Sequence, residues 1–333
     1  MDLSIICVNW NSLDYLRECI PSVYQHTRGI SFEIIVVDNA SPTGDVDSLQ
    51  REFPEVKLVK SAANLGFAGA NNLGVRQSSG EYLLFLNPDT KLLSPAINLL
   101  LERARPLTNA GIVGCKLLNT DLSIQTSCIM NFPTLSAVLL RLEYFRLRWP
   151  RLWGLGPLFS KSTEPAAVEA ISGACMLVRR KVFDAVGMFS EDYFMYSEDL
   201  DLCYQTRRAG LKNYYIGAAE IVHYAGTSSP SEWQTGMKQK AELRFCEKNY
   251  GRTYGWLFRM VSLANAAARL AILAVLSLRD KDNAWESVAA KWKTILRTLW
   301  THSPGDMPSS PSQKSMAISS KDLAEPQARQ GAH

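Results

Sequence analysis

The chain has 333 residues, 47% of them hydrophobic and 20% charged, with a formal net charge of +4. That length holds one large α/β domain with additions, or two domains, and the apolar share supports a sizeable core. A charge this mild lacks the strongly basic face of a nucleic-acid binder, and seven scattered cysteines with no C-x-x-C pair support neither a disulfide framework nor a zinc site.

The chain starts MDLSIICVNW, which has no basic leader and reads as a first strand rather than a signal peptide. Three short apolar runs, Leu3–Val8, Glu33–Val37 and Tyr82–Leu86, are β-branched or aromatic-rich and nearly continuous, the pattern of strands covered on both faces. Between the first two, Leu13, Leu16, Ile20 and Val23 recur at helical spacing behind Ser12, a candidate N-cap. Between the second and third, the stretch from Gly66 predicts a short helix closed by Gly80. Strand, helix, strand, helix, strand implies a parallel sheet with right-handed crossovers.

All three runs end in polar groups: Asn9 and Asn11, Asp38 and Asn39, Asn87 and Asp89. One such end is an ordinary turn. Three at one rim mark a site, because open parallel sheets bind ligands beyond the carboxyl ends of their strands. In LLFLNPDT (83–90), Pro88 fixes the direction in which the chain leaves the strand, and Asp89 is a candidate metal ligand.

Residues 111–118 and 170–179 read as further strands. Val138–Gly156 interleaves Arg141, Arg146, Arg148 and Arg151 with Tyr144, Phe145, Trp149 and Trp153. The pattern suits either a solvated amphipathic helix or a basic, aromatic surface that meets a membrane interface or a phosphate-bearing acceptor.

In Gly187–Gly210 an aromatic run, YFMY, precedes Ser197, Glu198, Asp199 and Asp201 and then a helical pattern. A Ser197 cap and the helix dipole account for acids in a first turn. They do not account for three acids behind a buried aromatic strip, where desolvation raises the proton affinity of a carboxylate and suits it to general-base work. His223 follows a short apolar strand. A lone His is usually structural, but Tyr224, Gly226, Thr227 and Ser228 follow it, a run of hydroxyls and amides able to wrap a phosphate.

Beyond residue 251 the chain is strongly apolar over Trp256–Arg279, interrupted by Arg259, Asn265 and Arg269. The interruptions argue against a simple membrane span and for an amphipathic helix, lying on a membrane surface or docked on the preceding domain. Trp285, Trp292 and Trp300 beside Lys291, Lys293 and Arg297 continue the theme. From about residue 302 the Ser-, Pro-, Gln- and Ala-rich tail predicts disorder.

Six segments occur in register: SIICVNWN (4–11), EIIVVDNAS (33–41), NLGFAGANNLG (64–74), GEYLLFLNPDT (80–90), residues 171–210 and HYAGTSS (223–229). Together they resemble the family 2 glycosyltransferases of the GT-A fold, in particular bacterial rhamnosyltransferase-like members that build cell-surface polysaccharide. The resemblance covers about residues 1–250. It implies a Rossmann-like, mostly parallel α/β sheet flanked by helices, with a nucleotide-binding half over about 1–115 and an acceptor and catalytic half over about 116–250. A membrane-associating helical segment (251–301) and a disordered tail (302–333) would follow.

The resemblance also implies roles. Asp38 matches the acid that contacts the nucleotide base, with Val8, Asn9 and Asn11 in the loop beside it. Asn64, Gly66 and Asn72 match the segment closing over ribose and phosphates. Asn87-Pro88-Asp89 matches the Asp-x-Asp metal motif. Asn87 replaces the first acid, a variant that leaves Asp89 as the ligand for Mg²⁺ or Mn²⁺. Asp199 matches the catalytic base, Glu198 its supporting neighbour, and His223 a position that completes metal or diphosphate binding. The implied reaction is an inverting transfer from a nucleoside-diphosphate sugar, dTDP-rhamnose by subgroup. The acceptor would be a hydroxyl of a glycan or polyprenyl-diphosphate-linked saccharide at the inner face of the cell membrane, reached by a cytoplasmic, peripheral enzyme.

Two rivals fail on motifs. A nicotinamide-dependent dehydrogenase needs G-x-G-x-x-G after the first strand, where this chain has VNWNS. A Walker-A hydrolase needs G-K-[ST]. A non-catalytic nucleotide-sugar or glycan-binding protein on a degenerate transferase fold is favoured by Asn87 and opposed by Asp89, Glu198, Asp199 and His223.

Overall fold

The structure is a computed structural model that describes residues 1–140, 148–149, 155–224, 232–277 and 284–301. Most of the Arg/Trp stretch, the run after Tyr224 and the tail beyond Thr301 lie outside the described residues.

The first four strands, β1 (Leu3–Asn9), β2 (Phe32–Asp38), β3 (Lys57–Lys60) and β4 (Tyr82–Leu86), are parallel and ordered β3-β2-β1-β4. Helices α1 (Leu13–His26), α2 (Val46–Glu52) and α3 (Gly66–Arg76) connect them. After β5 (Thr90–Leu92) and α4 (Ala96–Ala104) come β6 (Ala110–Leu118), β7 (Ile129–Met130), α5 (Leu135–Leu140), β8 (Ala166–Val168), β9 (Ala170–Ile171), β10 (Cys175–Arg179), α6 (Arg180–Ala185), α7 (Glu198–Arg208) and β11 (Lys212–His223). The sheet continues from β4 through β10, β6 and β11 to β5, with β8 also on β11. β10 is antiparallel to both β4 and β6, and β11 is parallel to β6. The carboxyl ends of β1, β2, β4, β6 and β11 therefore share one rim. The core strands are dry: Leu3, Ile5, Ile6, Leu83, Leu84 and Phe85 are fully buried, as continuous apolar runs between helical layers should be.

Several expectations need correction. Between the second and third runs the chain inserts α2 and β3, which the sequence reading passed over. β3 is short and exposed at both ends, so it lacks the apolar continuity of the others. α3 ends at Arg76, not at Gly80. Gly80 instead lies against β1, where a Cβ would meet the Ser4 backbone nitrogen, and its own N–H donates to Ser4 Oγ at 2.7 Å. The strand predicted over 170–179 is two, β9 and β10, interrupted at Ser172-Gly173-Ala174. Ser12 and Ser197 hold N-cap positions without a side-chain capping bond, and Ser197 has left-handed φ of 65°. The strand before His223 is long, 12 residues, not short.

Three C-terminal helices, α8 (Glu232–Tyr250), α9 (Arg252–Ser277) and α10 (Ala284–Thr301), enclose a second apolar cluster that includes Leu243, Phe258, Ala266, Trp292 and Leu299. By length and composition α9 is able to cross a membrane. Its three interruptions all face inward. Arg259 donates to the Trp300 carbonyl at 3.1 Å, Asn265 donates to the Val138 carbonyl at 3.1 Å, and Arg269 lies 5.3 Å over the Trp292 ring. Leu257 and Val275 are exposed on the opposite face, and Trp256, Ile272 and Leu276 are also exposed.

Candidate active site

Asn9 and Asp38 are the last residues of β1 and β2 and are paired in register. Asn9 Nδ2 donates to Asp38 Oδ1 at 2.7 Å, and Ser41 Oγ donates to the same oxygen at 2.6 Å. Asn11, at φ 55°, joins through its N–H to Ser41 Oγ at 3.0 Å. Beside them Asn39 ties the next loop together. Its Nδ2 donates to Asn64 Oδ1 (2.9 Å) and to the Gly66 carbonyl (3.2 Å), and its Oδ1 accepts the Leu65 N–H at 2.8 Å. The structure thus gathers Asn9, Asn11, Asp38, Asn64 and Gly66, with half-buried Val8 under them.

Asn72 stands apart. It is buried, and its amide brackets Phe189 while also donating to Glu191 at 2.9 Å, so it braces the loop ahead of α7. Gly66, with φ of 72°, is required for the same reason: a methyl group there would overlap the Phe194 carbonyl oxygen, which also accepts the Phe67 N–H.

At the end of β4 the turn Asn87-Pro88-Asp89 is pinned on both sides. Thr90 Oγ1 donates to the Asn87 carbonyl at 2.7 Å, and the Tyr224 N–H donates to the Asp89 carbonyl at 2.8 Å. Because Thr90 is the register partner of His223, this brings His223 Nε2 to 3.4 Å from Asp89 Oδ1 and 3.2 Å from Asn87 Nδ2. Two groups able to offer electron pairs meet here, the arrangement a divalent cation fits. Among the described residues no three His, Cys, Asp or Glu side chains converge. Asp89 and His223 are the two side chains at this point that could contribute to holding a cation.

The three acids after the aromatic strip have separate surroundings. Asp201 is buried and pinned: Lys248 Nζ lies at 3.0 Å, and Asn249 Nδ2 donates at 2.7 Å, so it ties α7 to α8. Asp199 is partly open, and both of its oxygens accept backbone N–H groups, Oδ2 from Gly173 and Oδ1 from Leu200, each at 2.8 Å. Glu198 is buried, and among the described residues nothing hydrogen-bonds its Oε2. Burial, then the neighbouring Asp199 charge, holds the Glu198 carboxyl well above its ordinary proton affinity. Burial also raises Asp199, opposed by the two N–H donors. Of the pair, Glu198 therefore keeps its proton more firmly and Asp199 is the better carboxylate.

One short link joins these parts. The Asn87 N–H donates to the Ala174 carbonyl at 3.0 Å, and the adjacent Gly173 N–H holds Asp199. The interruption between β9 and β10 is what makes both groups available. The sequence reading missed Ser41, Gln125 and Gly173. Only Gly173 carried a signal, as a glycine inside an apolar strand pattern.

The model of the family described as Glycosyl transferase family 2 matches residues 4–187. An N-acetylglucosaminyl-diphospho-decaprenol L-rhamnosyltransferase of Mycobacterium tuberculosis is 30% identical over 243 residues, 68% of this chain and 77% of that one. The rhamnosyltransferase WbbL of Escherichia coli is 26% identical over 66% of this chain and 83% of its own. In three dimensions a mannosyltransferase from Pyrobaculum calidifontis, solved with GDP-Man and Mn²⁺, superposes with a TM-score of 0.57 over 89% of this chain and 85% of that one, at 17% identity. That likeness concerns the fold and agrees with the expected GT-A architecture.

Proposed function

The chain belongs to glycosyl transferase family 2 and is a glycosyltransferase of rhamnosyltransferase-like kind; from that premise we propose that it inverts configuration, requires a divalent cation and takes its sugar from a nucleoside diphosphate, with dTDP-rhamnose as donor. The observation that supports this reading is the link from Asn87 through Ala174 and Gly173 to Asp199, which ties a carboxylate held by two backbone N–H groups to the turn that carries Asp89.

In this reading Asn9, Asn11, Asp38, Asn64 and Gly66 hold the nucleotide, with Val8 behind the base and Asn72 bracing the loop. Asp89 and His223 hold Mg²⁺ or Mn²⁺, and Asn87 lies against the diphosphate. A cation held there would supply neutralisation of the charge that grows on the diphosphate as its bond to the sugar breaks. The acceptor hydroxyl gives its proton to Asp199. Its oxygen then bonds to the anomeric carbon on the face opposite the diphosphate, and the electron pair of the broken bond leaves on the diphosphate. One displacement inverts the centre. Glu198, holding its own proton, keeps a second charge away from Asp199 and so leaves the base to one group. A positioned base contributes ~10²–10⁴ in rate.

Residues 1–250 form the catalytic domain, split near 115 between nucleotide and acceptor sides. The acceptor is a glycan or a saccharide on a polyprenyl diphosphate, in cell-surface polysaccharide synthesis; the decaprenol-linked substrate in the mycobacterial relative's name supports this. The enzyme works at the cytoplasmic face of the membrane, with the outer face of α9 against the lipid. The inward turn of Arg259 and Arg269 supports that placement, because it leaves the outer face apolar.

A thermal-shift screen of dTDP-, UDP- and GDP-sugars with Mg²⁺ or Mn²⁺ tests the reading. A donor that binds only the folded chain adds about 2.7 kcal/mol at a hundredfold excess over Kd. Stabilisation by dTDP-rhamnose that disappears with a chelator is the expected result. No stabilisation by any nucleoside-diphosphate sugar would reject it.

A further inference from the structure

We propose that Gln125 is a positioning residue for the metal site: it clasps His223 and fixes the imidazole in the tautomer that points a lone pair from Nε2 toward Asp89. The inference rests on the reading of Asp89 and His223 as cation ligands.

Gln125 is buried beyond the end of β6, and its N–H donates to the Leu117 carbonyl at 2.9 Å. From there its side chain reaches across to the end of β11. Nε2 of the amide donates to the His223 carbonyl at 2.6 Å and faces the Leu118 carbonyl at 3.5 Å. A carbonyl oxygen only accepts, so these two contacts set which way the amide lies. Oε1 is left against His223 Nδ1 at 2.9 Å. An amide oxygen also only accepts, so Nδ1 must carry the proton. In a neutral ring Nε2 then has none, and its lone pair lies 3.4 Å from Asp89 Oδ1. The Asn87 amide at 3.2 Å is able to donate to that same lone pair, which agrees with the assignment. Gln125 thus grips the backbone and the ring of one histidine with one amide. Partners that orient a metal-bound histidine through its other nitrogen typically matter by 10–100-fold in metal affinity.

The test uses the full-length chain with ¹⁵N-labelled histidine. Two-bond ¹H–¹⁵N correlations on the metal-free protein at neutral pH should give His223 as the Nδ1–H tautomer. An Nε2–H ring, read at a pH where the imidazole is neutral, overturns the proposal. Mn²⁺ affinity is then measured by calorimetry in the presence of a nucleoside diphosphate. Gln125→Leu should lose the single tautomer and about 10–100-fold in Mn²⁺ affinity. Gln125→Glu, which keeps an acceptor toward Nδ1, should retain the tautomer and more of the affinity, and it serves if the leucine variant does not fold. A folded Gln125→Leu protein within about twofold of the parent, or a folded Gln125→Glu protein that has lost the Nδ1–H tautomer, overturns the proposal. Failure of the parent to bind Mn²⁺ at all rejects the metal reading together with this one. A wrong tautomer with intact Mn²⁺ binding rejects this one alone.

Discussion

Asp199→Asn should separate chemistry from binding, and the structure says how large each effect should be. Both Asp199 oxygens accept a backbone N–H, from Gly173 and from Leu200. Asparagine has one accepting oxygen, so its amide nitrogen must face one of those donors. A buried donor left without a partner costs about 1–3 kcal/mol, and the partial solvent access of Asp199 puts the loss in the lower half of that range. Loss of the base removes ~10²–10⁴ from turnover, or about 2.7–5.4 kcal/mol of barrier at 1.36 kcal/mol per tenfold. The assay is release of nucleoside diphosphate with a lipid-linked acceptor, run well below the melting temperature. Donor affinity by calorimetry and urea midpoint are measured alongside. The expected variant is folded, near normal in donor affinity and almost inactive, with the lost N–H bond partly offset by removal of a buried charge. Turnover within tenfold of the parent would remove Asp199 from the mechanism.

Asp89→Ala should weaken nucleoside-diphosphate affinity at least tenfold in Mn²⁺ and leave it unchanged in a chelator, measured by calorimetry; equal loss in both conditions would contradict a metal role. Burial raises the proton affinities of Glu198 and Asp199, so the folded chain binds protons more tightly than the unfolded one. Their contribution to stability is therefore full at low pH and is lost as pH rises from the ordinary carboxylate range through the raised values. Glu198→Gln should flatten that part of a urea-midpoint-against-pH curve, and an unaltered slope would locate the titration elsewhere. The double variant Ile272→Asp, Val275→Asp puts charge on the exposed face of α9 and should lose most sedimentation with phospholipid vesicles while keeping its melting temperature; unchanged sedimentation would exclude that face as the lipid contact.

Much of the candidate site was legible because its signals are local. Asn9 and Asp38 follow an apolar run directly and Asp89 follows one after Asn87-Pro88, so a strand end and a polar side chain occur within a few residues. Glu198 and Asp199 were legible for a similar reason, as acids at a helix start behind aromatic residues. What escaped depends on partners distant in the chain. Gln125 and His223 are 98 positions apart, and no periodicity predicts that β6 and β11 will be neighbours. Gly173 passed as part of one strand because only the folded sheet shows Asn87 and Asp199 bonded to the backbone around it. The interruptions in α9 were visible, but their direction was not: helical phase puts Arg259, Asn265 and Arg269 on the packed side, and only tertiary contacts say which side is packed.

The seam where Gly66, Phe67 and Asn72 meet Phe189, Glu191 and Phe194 has a consequence for engineering. Recombining the front portion of this enzyme with the rear portion of a cousin, to pair a new donor with an old acceptor, would cut between surfaces that fit at backbone resolution. A hybrid that imports a side chain at position 66, or a shorter loop at 189–194, would misplace the segment leading into α7 even with every reactive group intact. Crossovers that carry both strips from the same parent avoid that fault.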